Sequence, residues 1–207
     1  MIMKHLCLSL FCLLAVSLNA LGADANNTRT ITDFSIPGEW KPSKWSTAEG
    51  RIAVRPEVPP ALKKEDPSLE ESLGIKIDWP GGEGMRLFAL TPASDIKIPF
   101  VLKELSLWVN GSGTEHFCEI IVDDASGQRQ KIGLGKVNFQ GWKNITKKMP
   151  PNIMQPVTIT GITFHDWNNP QPGETTLYLS RFDVTIDPEA KMTAAKNSAA
   201  TDTNDSW

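Results

Sequence analysis

Leu102–Ile121 alternates apolar and polar residues on both sides of a short glycine-containing interruption, a pattern that suits extended strands and no helix. Leu105, Leu107 and Val109 share one face, with Ser106 and Trp108 on the other; after Asn110-Gly111-Ser112-Gly113, His116, Cys118 and Ile120 again share a face. Asn-Gly between alternating runs is the strongest short-range hairpin signal, because both residues tolerate positive φ. The stretch therefore predicts a β-hairpin. A lone hairpin is marginal in water, so other strands must pair with it.

The rest of the chain supplies them. Arg29–Ser35 and Arg51–Arg55 read as short strands. Leu73, Ile75, Ile77 and Trp79 alternate with Gly74, Lys76 and Asp78, and Met85–Leu90 follows beyond a Pro-Gly-Gly turn. Gln130, Ile132 and Leu134 form another strand, and Tyr178, Ser180, Phe182, Val184 and Ile186 form the last. The apolar phase switches after Gly135 and again at Gly161, which predicts a β-bulge or a bent strand at each. Pro56–Ser72 is broken by four prolines and reads as a solvated loop. About eight to ten short strands with little helical period predict an all-β fold, an antiparallel β-sandwich of jelly-roll type resembling carbohydrate-binding modules, with a closed barrel as the alternative.

The ends have a different character. Lys4 precedes the apolar run Leu6–Leu18 and small residues follow, which predicts a secretory signal peptide over 1–23, with cleavage as late as Ala25 as the alternative. One sandwich domain is expected over 24–187, and a polar, alanine-rich tail over 188–207 that is disordered or ordered by a partner. The whole chain carries 21 basic and 24 acidic side chains, and the leader removes one base and no acid, leaving 20 − 24 = −4. That balance argues against nucleic acid as a partner. No second apolar run of membrane length follows, so no membrane insertion of the mature chain is expected. Cys7 and Cys12 leave with the leader, and Cys118 is expected in the core.

Chemistry-bearing motifs are sparse. There is no G-x-S-x-G, H-E-x-x-H or phosphate-cradling loop, and no acid/base pair can be named, so no catalytic residue and no cofactor are assigned. His116 and His165 lack metal-ligand spacing. Asp166, Asp183 and Asp187 lie near strand ends, where a sandwich can hold calcium, but no dense Asp/Asn loop accompanies them and no metal site is assigned. Asp123 and Asp124 fall in a turn signal. Seven tryptophans stand against one tyrosine. Trp79 is in phase with the core. Trp40 and Trp45, among turn residues, read either as a lid on the core or as a sugar-stacking platform, and Trp108 faces outward, so these three are the candidate interface residues.

Several segments taken together resemble the spirochaete periplasmic flagellar filament outer-layer (sheath) protein family: LSLWVNG at Leu105–Gly111, EIIVDDASG at Glu119–Gly127, IGLGKVNFQGWKNI at Ile132–Ile145 and LYLSRFDV at Leu177–Val184. The resemblance covers about Leu73–Asp187, with Asn138 where members commonly carry aspartate. It implies a non-enzymatic structural role in the periplasm. The implied partners are flagellin-like core subunits and other sheath proteins, on a coat that affects filament stiffness, shape and motility. It also marks Gly111, Asp123, Phe139, Gly141 and Trp142 as structural motif positions, the Phe139–Trp142 element being expected as bulged and packed. The competing expectation is a secreted, non-catalytic carbohydrate-binding module using its tryptophans for stacking.

Overall fold

The computed structural model of the protein describes residues 27–167 and 171–190, so the expected leader and most of the expected tail lie outside the described residues. The elements follow in the order β1 (Thr28–Thr32), β2 (Trp40–Pro42), β3 (Glu49–Arg55), α1 (Pro60–Glu65), β4 (Ser72–Trp79), β5 (Met85–Pro92) and β6 (Ile96–Ile98). Then come β7 (Leu102–Ser112), β8 (Phe117–Asp123), β9 (Arg129–Lys136), β10 (Gln140–Lys148), β11 (Val157–Trp167) and β12 (Gly173–Ile186). The first sheet runs β10-β7-β12-β4-β3, with β1 also on β12; the second runs β2-β5-β11-β8-β9, with β6 also on β11. Every pairing is antiparallel. The two sheets enclose one apolar core, so the architecture is the expected antiparallel β-sandwich of jelly-roll type with little helix.

The expected hairpin is not formed. β7 pairs with β10 and β12 in the first sheet, whereas β8 pairs with β11 and β9 in the second. The segment between them arches from sheet to sheet, so Leu105, Leu107 and Val109 meet Cys118, Ile120 and Val122 through the core rather than side by side. Alternation specifies which face is buried, and a hairpin and an arch bury the same faces. Asn110 and Gly111 continue β7, and the positive φ of 81° falls on Gly113 instead.

Gly111 has another use. A Cβ there would lie 2.5 Å from the Phe139 carbonyl oxygen and 2.9 Å from that of Val137. The chain leading into β10 crosses over this position, and only glycine leaves room for its backbone. Opposite it, Gly141 has φ 81°, yet the β7–β10 register runs unbroken through Gly141, so the Phe139–Trp142 element is not a bulge.

The bulges expected at the other phase switches are present. Leu134 is the extra residue beside Gly135, opposite Cys118 and Glu119, and Thr160 is the extra residue beside Gly161, opposite Ile121 and Val122. A third register shift, with Arg181 extra between Ser180 and Phe182, carries no glycine to announce it. It divides β12: Tyr178 and Ser180 face outward, whereas Phe182, Val184 and Ile186 point into the core. The Pro56–Ser72 segment is not simply a solvated loop. It contains α1, with Leu62 at N3 fully buried and Leu69 nearly so, and Glu65 Oε2 lies 3.1 Å from Arg181 Nη2 on β12. A helix this short leaves no periodic trace in sequence.

Candidate interface surfaces and the polar end of the core

The sequence-predicted surface residues take distinct places. Trp40 is 2% exposed and packs against Phe34 with ring centroids 5.5 Å apart, so it is corrected from interface to core lid. Trp45 is 43% exposed, on a segment that extends the second sheet along β5 through bonds from Ser43 N to Ala89 O and from Thr47 N to Leu87 O, each 2.8 Å. Trp108 is half-buried on the outer face of the first sheet, as its phase required, and Trp142 shares that face, tilted toward Tyr178 with centroids 6.3 Å apart. Phe139 packs against the core edge with Lys143 over its ring. Asp123 receives Arg129 Nε at 2.9 Å and closes the β8–β9 turn. Within that turn, the carboxylate of Asp124 accepts from Ser126 N at 2.9 Å, Gln128 N at 3.0 Å and the Ser126 hydroxyl, an Asx arrangement. Cys118 is buried, and that burial pushes its thiol far above the ordinary range, as fits a core residue.

The structure also brings together a group that sequence reasoning did not join. At one end of the sandwich, Arg86 and Asp166 occupy core-facing positions as register partners on β5 and β11. Arg86 donates Nε to Asp166 Oδ1 at 2.8 Å and Nη2 to Asp166 Oδ2, and its Nη1 reaches the carbonyls of Pro80 at 2.9 Å and Gln171 at 2.7 Å. His116 stacks on Trp79 with centroids 4.3 Å apart, and its Nε2 lies 3.1 Å from Thr175 Oγ1, which also accepts Trp79 Nε1 at 2.9 Å. His116 Nδ1 is 3.3 Å from Asp166 Oδ2, an electrostatic contact without hydrogen-bond geometry. The signal was available: Arg86 is in phase with Phe88, His116 with Cys118 and Asp166 with Phe164, so each is a polar residue where the alternation requires an apolar one.

This cluster closes the open end of the core and floors a cleft of about 470 Å³ whose rim carries Phe117, Trp167, Glu174 and the Glu115–Lys136 ion pair. Burial works to raise the Asp166 carboxyl, but the hydrogen bonds and charge of Arg86 outweigh it and hold Asp166 below the usual range. Burial lowers His116 more than Asp166 raises it, so the imidazole is held neutral below its ordinary value. The unfolded chain therefore binds more protons than the folded one as pH falls through about 6.5, and His116 withdraws stability in acid. Urea unfolding between about pH 5 and 7 should show stability rising with pH and levelling above the ordinary histidine range, and His116→Asn should flatten that rise.

Asp183 accepts from Thr30 at 2.7 Å and Arg181 at 2.9 Å, and Asp187 contacts Lys103 at 3.3 Å, so the three aspartates weighed for calcium do not converge. Among the described residues no group of three or more carboxylate, histidine or cysteine side chains could hold a metal ion. Nor is any helix there long and apolar enough to cross a membrane.

Comparison with known proteins finds a family that matches part of the chain. A flagellar filament outer layer-like protein of Brachyspira hyodysenteriae is 32% identical over 139 residues, covering 66% of this chain and 64% of that relative. Among solved structures, the family 11 carbohydrate-binding module of a cellulosomal cellulase from Clostridium thermocellum aligns over 79% of this chain and 97% of its own, at 11% identity and a TM-score of 0.49. The C-terminal family 22 carbohydrate-binding module of Clostridium thermocellum Xyn10B covers 81% of this chain and 98% of its own, at 12% identity and a TM-score of 0.45. The sequence profile of the flagellar filament outer layer protein family matches residues 94–193, the region containing β6 to β12. Over that region, which supplies the centre of both sheets, the chain is similar to the flagellar filament outer layer protein family.

Proposed function

We propose that this protein is a non-catalytic structural subunit of the outer layer of a periplasmic flagellar filament. It is exported by the leader expected over 1–23 and laid over flagellin-like core subunits beside other sheath proteins. The observation that carries the reading is the family match over β6 to β12. The surface is consistent with it: Trp167 is 60% exposed and Phe117 39%, and Met85, the register partner of Trp167, adds to the same apolar end of the second sheet. A monomer gains nothing from exposing such side chains, whereas a coat subunit can cover them against neighbours. Each contact is modest, but a closely packed sandwich repeated along a polymer sums them and resists bending of the core.

Isolated filaments, analysed by quantitative mass spectrometry before and after the outer layer is stripped, test this. The protein is expected as a stoichiometric component of intact filaments and absent from stripped cores. Recovery in the soluble periplasmic fraction, with none on intact filaments, would overturn the assignment.

A further inference from the structure

On the outer face of the first sheet, register aligns Ala53, Gly74, Tyr178, Asn110 and Trp142 in one row across β3, β4, β12, β7 and β10. Five strands at about 4.8 Å spacing make the row about 19 Å long. The Tyr178 and Trp142 rings lean together over Asn110, inclined at 50°. At the β3 end of the row, beside Tyr178, the two small residues leave a groove of about 240 Å³ walled by Arg51, Arg55 and Lys76. Gly74 keeps it open: a Cβ there would lie 2.9 Å from Arg55 Cγ and 3.4 Å from Tyr178 Cε1.

The charges of this groove are incompletely matched. Arg51 and Lys76 are direct register partners, and like charges directly opposite repel. Lys76 has Glu174 as an ion-pair partner, and Glu49 and Asp78 form the next row outward, but Arg51 and Arg55 make no hydrogen bond or ion pair among the described residues. We propose that this trough is a binding site for an acidic saccharide, with a sugar ring lying against Tyr178 and Trp142 and its carboxylate held by Arg51 and Arg55. Flat aromatic faces suit the apolar face of a sugar ring, the Asn110 amide offers both a donor and an acceptor for hydroxyls, and guanidinium groups take carboxylates in bidentate fashion. A peptide adding as a strand could pair only at the outer edges of β3 and β10, because β4, β12 and β7 have both edges paired, whereas the trough lies across the face of the sheet.

The inference stands apart from the filament reading, and its deciding test needs no filament. Oligogalacturonates, sialylated oligosaccharides and neutral oligosaccharides of equal length, immobilised as an array, are offered to the protein, with oligoglutamate as a soluble competitor. Retention on acidic over neutral sugars is expected, with at least a tenfold loss for Tyr178→Ala and for the exposed double variant Arg51→Ala/Arg55→Ala. Circular dichroism identifies any variant that fails to fold, and the arginine pair keeps the test decisive if Tyr178→Ala does. Failure to retain any acidic sugar, or equal retention of neutral ones, overturns the proposal. Equal competition by oligoglutamate, with binding indifferent to Tyr178→Ala, overturns it in favour of an acidic peptide. Stripped core filaments, assayed before and after periodate oxidation, then separate the sources. Periodate-sensitive binding places the sugar on the filament, and binding to the array alone places it on a free polysaccharide.

Discussion

Asp166→Ala is expected to destabilise the sandwich by about 3–5 kcal/mol, because it leaves the Arg86 guanidinium buried without its counter-charge. The two carbonyls on Arg86 Nη1 would still satisfy part of its donor set, but neither carries the charge that Asp166 supplies. The loss should appear as a fall in Tm on the order of 10 °C in calorimetry at neutral pH. A double variant, Arg86→Met with Asp166→Leu, should recover most of it, since a buried ion pair replaced by apolar groups of similar volume is often close to neutral. If Asp166→Ala melted within about 1 °C of the parent, the cluster would be solvated and the closed end of the core would not exist as described.

Gly111→Val is expected to cost about 3 kcal/mol, the upper part of the range for overpacking. The obstacles are the carbonyl oxygens of Phe139 and Val137, and a backbone cannot rotate aside as a flexible side chain can. Relief requires the β9–β10 connection to lift from β7, which would loosen Phe139 and displace the start of β10. Hydrogen exchange should therefore show lost protection concentrated at Gln140–Asn144, with β11 and β8 little changed, alongside a lower urea midpoint. A stable variant with uniform protection would mean that the crossing chain has room to retreat.

Much of the fold was legible because strand burial is a local matter. Side chains on a strand point alternately to opposite faces, so Leu73–Trp79 and Gln130–Leu134 announced both their conformation and their buried face. Glycine at a phase change marked the bulges beside Gly135 and Gly161, because the local chain must bend there. The bulge at Arg181 had no such mark, and Tyr178 and Ser180 were accordingly grouped with the inward-facing Phe182. The surface was read less well: Trp40 and Trp45 occupy similar turn-rich sequence, yet one is buried against Phe34 and the other is open to solvent.

The sequence by itself determined that the chain forms an antiparallel sandwich, which faces of its strands are apolar, and the family that its central strands resemble. Only the tertiary structure decided partnership. It sent β7 and β8 to opposite sheets, brought Arg86, Asp166, His116 and Trp79 to one end of the core, and aligned Arg51, Lys76, Tyr178 and Trp142 across strands distant in sequence. The physical reason is the range of the interactions. A strand's period of two is set by its own backbone geometry, whereas its neighbour is chosen by loop closure and by packing summed over both sheets, to which no single segment contributes more than a part.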